Sequence, residues 1–309
     1  MKHAAKNQAP VGGLKRITRF SLLPLSLCLL LCVISCEDLN PGLEGFYFPV
    51  VGQCQGIRLI GDHVYIFGET LSDKYGDVRK VAFIQELDLR CRPTGWQGIF
   101  AKSGWKAVIT HPNGIAWRPG LPTFVSINEI IYQIDWDVFR KNGNLDGALI
   151  RAIKDTEARD GTRIEYVQIA GKWYVATCDY HAAGGNEIRV MDPWRLAACD
   201  TTSDPGVVVY RFPAASRIQS LYWNQEKELL VLVGNVALHR GWKLVFIDLE
   251  KALETGSGTG NAVVTTRWFP YVSELEGYSV LPDGSEVFVT SSPRKNLFVS
   301  KDRGSLFGN

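Results

Sequence analysis

One pattern recurs five times along this chain and leaves few folds open to it. Short runs rich in Val, Ile, Tyr and Phe appear as VYIFGE (64–69), TFVSINE (123–129), WYVATCD (173–179), LLVLVGN (229–235) and VFVTSS (287–292). Their period-two alternation, with Gly, Asn or Asp between runs, marks β-strands. Each follows a shorter segment opened by a polar residue: Gln55, Asn113, Glu165, Gln219 and Glu276, at spacings of 58, 52, 54 and 57 residues. A third run follows in each unit: VAFIQELD, IIYQIDWD, EIRVMDP, KLVFIDLE and NLFVSKD. All five carry an Asp at or near the end. A fourth run precedes the next opener, and Phe48-Pro49, Phe212-Pro213 and Phe269-Pro270 sit seven and six residues before Gln55, Gln219 and Glu276.

Five units of four strands have one economical solution. An antiparallel sheet must bury its apolar face and protect its edges, and radial stacking of sheets does both. The expected fold is all-β, a five-bladed β-propeller of four-stranded antiparallel sheets. The last unit has three strands and then only RGSLFGN, whereas Gly45 to Pro49 looks like an outer strand with no inner three before it. The two chain ends are therefore expected to share one sheet and close the ring. The second unit is the least regular: LDGALIRAIKDTEA reads as an outer strand, ALIRAI, with a helical excursion. GxGxxG, Walker A and GxSxG motifs are all missing.

The first 35 residues carry five positive charges and no acid, then the apolar stretch SLLPLSLCLLLCVIS (21–35). That length suits a signal-peptide h-region and is short for a spanning helix. Its end, Val33-Ile34-Ser35-Cys36, resembles the lipobox of bacterial lipoproteins. The resemblance implies cleavage before Cys36, lipidation of that cysteine with acyl chains such as palmitate, and an extracytoplasmic, lipid-anchored protein of the cell envelope. Glu37 in place of Asp favours the outer membrane in a cell with two membranes. The expected organisation is a signal peptide at 1–35, a short tether at 36–44 and the propeller at 45–309. The whole chain has a formal charge of +2, but without the five leader cations 29 basic residues face 32 acidic ones. No basic excess is left to attract nucleic acid. Four cysteines follow Cys36: Cys54, Cys91, Cys178 and Cys199. An even number in an exported chain permits two disulfides in any of three pairings.

In such a ring the five openers converge at one mouth of the central channel, joined by the second-strand ends Glu69, Glu129, Asp179, Asn235 and Ser292. Gln55, Glu69, Asn113, Asp179, Gln219 and Asn235 are the candidate ligand-binding residues. Glu165, Glu276 and His181 are the candidate catalytic residues. The two Glu residues supply paired carboxylates and His181, in a glycine-bearing loop, a base near neutral pH. Asp179, Glu165 and Asn235 offer hard oxygen donors suited to a calcium ion. A hydrated polar plug around the axis would use the same residues. Long loops bias the site toward units one, three and four, with His239 and Arg240 in reach. His111 lies near the rim, and Trp117 and Tyr180 are the aromatics placed near the mouth. Trp223, Trp242 and Trp268 are expected to fill gaps between units.

The repeat pattern resembles five-bladed propellers across nearly all of residues 45–309. Known groups include arabinan-cleaving glycoside hydrolases, plant-type glutamine cyclotransferases and calcium-holding olfactomedin domains. Gln55-Gly56-Ile57 followed by VYIFGE is similar to the start of the cyclotransferases. These resemblances imply architecture, and one architecture hosts many activities. Two functions follow as expectations. One is a ligand-binding or protein-interaction module of the cell envelope, presenting a face to a glycan, a peptide or an envelope protein. The other is a carbohydrate-active hydrolase or lyase with carboxylates at the channel mouth.

Overall fold

A computed structural model describes residues 42–69, 81–180, 185–236, 241–271, 273–292 and 294–300. The first strand, β1 (Leu43–Phe46), belongs to the last sheet. The first blade is β2 (Gln53–Ile60), β3 (His63–Glu69), β4 (Ala82–Leu87) and β5 (Pro93–Ile99). A small ribbon, β6 (Ala101–Lys102) with β7 (Lys106–Ala107), leads to the second. That blade is β8 (Gly114–Ala116), β9 (Thr123–Ile127), β10 (Ile130–Ile134) and β11 (Leu149–Lys154). The third is β12 (Thr162–Ile169), β13 (Lys172–Asp179), β14 (Asn186–Met191) and β15 (Val208–Ala214). The fourth is β16 (Ile218–Asn224), β17 (Leu229–Asn235), β18 (Trp242–Asp248) and β19 (Val263–Phe269). The fifth comprises β20 (Leu275–Val280), β21 (Glu286–Thr290), β22 (Leu297–Ser300) and, completing it, β1.

Each inner strand touches the inner strands on either side, β2 to β8, β8 to β12, β12 to β16, β16 to β20 and β20 back to β2. The five-bladed ring read from the spacing is the observed fold. Closure is as expected: Gly45 pairs with Phe298 and Phe46 with Leu297. The strand begins at Leu43, so its first two residues come from the expected tether. Asn296 locks the junction: its Oδ1 accepts from Phe48 N–H at 2.8 Å, and its Nδ2 donates to the Phe48 and Gly52 carbonyls at 2.9 and 3.1 Å.

The core is five apolar layers, one in each gap between blades. Trp223, Leu230 and Leu232 meet Val167, Cys178 and Ile188 between blades three and four. Trp242 and Phe246 meet Tyr278, Phe288 and Leu43 between blades four and five. Second strands are covered on both faces by neighbouring blades, so LLVLVGN is nearly continuous in apolar residues and buried almost throughout. Fourth strands keep one face in water, which leaves Val209, Tyr210, Val264 and Trp268 exposed. Trp268 therefore does not fill a gap; it lies outside with the Lys243 amine 5.7 Å from its ring centre. Trp223 and Trp242 do.

The Asp that ends the third runs has a local cause. Asp135, Asp192 and Asp248 cap short helices α1 (Trp136–Asn142), α2 (Pro193–Ala198) and α3 (Leu249–Thr255), each side chain accepting backbone N–H groups of the first turn. Asp88 does the same in a turn, accepting from Arg90 and Arg92 N–H at 2.9 Å. In the second unit, Leu149–Lys154 is the expected outer strand, and the helix precedes it.

The expected disulfides are corrected. Cys54, Cys91, Cys178 and Cys199 are all free thiols. Cys178 sits between blades three and four and Cys199 between blades two and three. Cys54 and Cys91 share a layer, but Cys54 lies at the Glu69 end of the first blade and Cys91 in the turn at its opposite end. Burial pushes the Cys54, Cys91 and Cys178 thiols up to about 12 and that of Cys199 to about 11. Cys36 and the whole leader lie outside the described residues. Among the described residues no helix is long and apolar enough to cross a membrane.

Candidate functional site

Three of the five openers owe their placement to the same backbone irregularity. In the first blade Cys54 pairs with Gly68 and Gly56 with Phe67, so Gln55 is an extra residue. Gln219 and Glu276 are the extra residues at matching points of blades four and five. Such a bulge turns a side chain out of the strict alternation of a strand. Here it aims all three at the axis. The partner strand must come very close: a Cβ on Gly68 would lie 2.1 Å from the Gln53 carbonyl oxygen, and one on Gly234 2.4 Å from that of Arg217.

The mouth so formed is a cavity of about 360 Å³ lined from blades one, three, four and five and by His111 from the segment that enters blade two. Its chemistry comes from Gln55, His111, Arg163, Gln219, Glu274 and Glu276. The inner hairpin of blade three has no bulge. Arg163 pairs with Cys178 in the place of Cys54 and Ile218, and it is Arg163, not Glu165, that reaches the mouth. Glu165 lies deeper, 1% exposed and ion-paired with Arg58 of the first blade. Asn113 is buried beside Gly161, outside the cavity lining.

A continuous hydrogen-bond chain crosses the mouth. Arg163 donates through Nη2 to Gln219 Oε1 at 3.0 Å, and through Nη1 to the Asp160 and Gly161 carbonyls at 2.8 and 3.0 Å. Gln219 spends its Nε2 on Glu274, which in turn hydrogen-bonds Glu276. Burial, reinforced by the nearby Glu274, lifts the Glu276 carboxyl well above the usual carboxylate range. Gln219 donates to Glu274, and Glu276 is buried against that carboxyl. Across the cavity His111 places Nδ1 on the buried Glu69 carboxylate. That contact orients the ring, and Nε2 is the nitrogen left for the cavity.

The remaining candidates are already engaged. Asp179 bonds Arg189 at 3.0 Å, and Arg189 also holds Asp155 at 3.1 Å. Burial raises the Asp179 carboxyl, and Arg189 opposes that rise. Asn235 uses both ends of its amide on Leu275, accepting from its N–H at 2.8 Å and donating to its carbonyl at 3.1 Å. The three residues read as calcium donors, Asp179, Glu165 and Asn235, thus each answer to a different partner. Among the described residues no group of three or more His, Cys, Asp or Glu side chains is placed to hold a metal. His181, His239 and Arg240 lie outside the described residues. Tyr180 does line the mouth, with the Arg163 guanidinium 5.4 Å from its ring centre. Trp117 lies past the other end of β8, where its carbonyl accepts from Arg58 at 3.3 Å.

Arg163, Glu274 and Arg58 were not singled out from the sequence. One signal points to the first. Asn113 to Glu129, Gln219 to Asn235 and Glu276 to Ser292 each span 16 positions, and 16 positions before Asp179 is Arg163.

No protein-family model and no curated protein sequence matches this chain. Solved structures similar to it include the Kuenenia stuttgartiensis hydrazine synthase, at 16% identity and a TM-score of 0.41 over 78% of this chain and 56% of that one. A glucose dehydrogenase matches at 9% identity and a TM-score of 0.42, covering 84% and 85% of the two chains. The soluble aldose sugar dehydrogenase of Escherichia coli matches at 10% and 0.39, covering 78% and 79%.

Proposed function

We propose that the mouth carrying Glu276 is the active site of an acid–base enzyme that cleaves a carbohydrate, as a hydrolase or a lyase. One observation carries the reading: a buried carboxyl pushed toward its protonated form and an imidazole oriented by a carboxylate face the same open, polar cavity. General acid–base cleavage needs a proton donor and a proton acceptor on one cavity, and Glu276 and His111 stand there. Independent catalytic carboxyls in glycoside cleavage stand about 5 Å or more apart. Glu274 and Glu276 are in hydrogen-bond contact, so they act as one acid and the base is His111. In hydrolysis, His111 Nε2 takes a proton from water as the water oxygen bonds the anomeric carbon. The glycosidic C–O bond breaks toward the departing oxygen, which receives the Glu276 proton. Arg163 places positive charge beside the oxygens that gain electron density. A lyase would use the same imidazole to remove a C–H proton and the same acid to protonate the leaving oxygen. The amides of Gln55 and Gln219 and the Tyr180 ring suit a hydroxyl-rich ligand.

The chain is also proposed to be exported and lipid-anchored at Cys36, on the strength of the Val33-Ile34-Ser35-Cys36 sequence after a basic and apolar leader. Mass spectrometry of the mature N-terminus checks this: a diacylated or triacylated Cys36 is expected, and an unmodified N-terminus elsewhere rejects it.

A panel of oligosaccharides and uronate-containing glycans tests the activity. Turnover that falls roughly a hundredfold or more in both Glu276→Gln and His111→Ala supports the site. Saturable binding without turnover of any member favours the other reading, a ligand-binding or protein-interaction module of the envelope, for which the neutral amides at the mouth are the supporting feature.

A further inference from the structure

The opposite end of the axis holds a second cavity, of about 230 Å³, built from different chemistry. Its lining includes Arg58, Arg118, Tyr222, Trp223, Asn224 and Ser279, with Gln225 and Glu226 at the solvent edge. Arg118 is fixed in place. Its guanidinium lies 4.2 Å from the centre of the Trp173 ring, and Nη1 donates to Gln225 Oε1 at 2.9 Å. Among the described residues it has no carboxylate partner. Arg58 is 8% exposed and paired with Glu165, but its Nε has no hydrogen-bond partner. The same is true of Arg118 Nε, Trp223 Nε1 and Ser279 Oγ.

The lining therefore holds two cations against one buried carboxylate. Like charges in a desolvated place repel strongly. Burial and the neighbouring Arg118 hold the Arg58 guanidinium below its usual range. The missing element is an acceptor with negative charge. Glu226 does not supply it, because its side chain is exposed to solvent. We infer that this far mouth binds a small oxyanion, a phosphate or carboxylate group, between Arg58 and Arg118. Planar guanidinium forks match both groups. The site is separate from the acid–base mouth and does not depend on its activity.

Calorimetric titration of the full chain with inorganic phosphate and with citrate tests the site, with sodium chloride at matched ionic strength as control. Saturable binding of at least one probe is expected, and which of the two binds tells a tetrahedral from a carboxylate ligand. Arg118→Gln should weaken it roughly tenfold or more, the loss of a charge-assisted pair. Arg163→Gln, at the other mouth, should leave it unchanged. Gln225→Glu puts a carboxylate on Arg118 from an exposed position; it should raise the thermal midpoint without ligand and abolish the response to either probe. The inference is overturned if neither probe saturates, if Arg118→Gln and Gln225→Glu bind as wild type does, or if Arg163→Gln is the variant that loses binding.

Discussion

The amide of Asn296 is expected to hold the ring shut, and its removal can be weighed from the bonds it makes. It is fully buried and makes three side-chain hydrogen bonds to the segment that follows β1, at 2.8, 2.9 and 3.1 Å. Asn296→Ala leaves the Phe48 N–H without an acceptor, which costs about 1–3 kcal/mol, and removes two bonds to carbonyls worth about 0.5–1.5 kcal/mol each. The total is about 2–6 kcal/mol, and its middle corresponds to a fall of about 10 °C in thermal midpoint for a chain of this size. Asn235→Ala is the reference, since it removes only two bonds, between blades four and five, and breaks no closure. Urea unfolding followed by tryptophan fluorescence should show the larger loss in Asn296→Ala with an unchanged slope. Hydrogen exchange at the Phe48 amide should accelerate in that variant alone. A loss below about 1 kcal/mol, or unchanged exchange at Phe48, would refute the argument that this side chain carries the closure.

Three further outcomes are expected. Because the folded carboxyl of Glu276 binds its proton more tightly than the unfolded one, stability should decline as pH rises from the ordinary carboxyl range through the raised folded value. Glu276→Gln should remove that decline, so urea midpoints of variant and wild type should coincide near pH 4 or so and diverge in the variant's favour above it. Asp155 is fully buried and accepts from Arg189, Thr162 and Thr202, at 3.1, 2.8 and 2.9 Å. Asp155→Ala should cost about 3–5 kcal/mol by urea unfolding, and a cost under about 1 kcal/mol would mean the network is dispensable. Cys54, Cys91, Cys178 and Cys199, buried with raised thiols, should resist alkylation in the native protein and label on unfolding, as read by peptide mapping; rapid native labelling of any of them would contradict the burial.

The ring was legible because its signals are local. The Phe-Pro register and the apolar second strands repeat within each unit, and Gly45 to Pro49 matched an outer strand by the same count. The site was legible only in part. Gln55, Gln219 and Glu276 were found because each is the residue set free by a bulge at the same point of its hairpin. Arg163 stands where the spacing of the other units points to Glu165, because the inner hairpin of blade three lacks their bulge and its frame moves. His111 stands where the Phe-Pro register fails, so its partnership with Glu69 had no counterpart in other units. Contacts that join distant parts of the chain, such as Gln219 with Glu274, leave no mark in the spacing of either residue. The paired thiols were misjudged for a related reason: cysteine count says nothing about which layer each side chain enters.

Arg58 and Glu165 come from the first and third blades, which are not neighbours, so their ion pair reaches across the axis itself. It works as a bulkhead. The two cavities lie on either side of it. A ligand entering either mouth meets this pair from its own side, Arg58 lining the far one and Glu165 lying deep beneath the other.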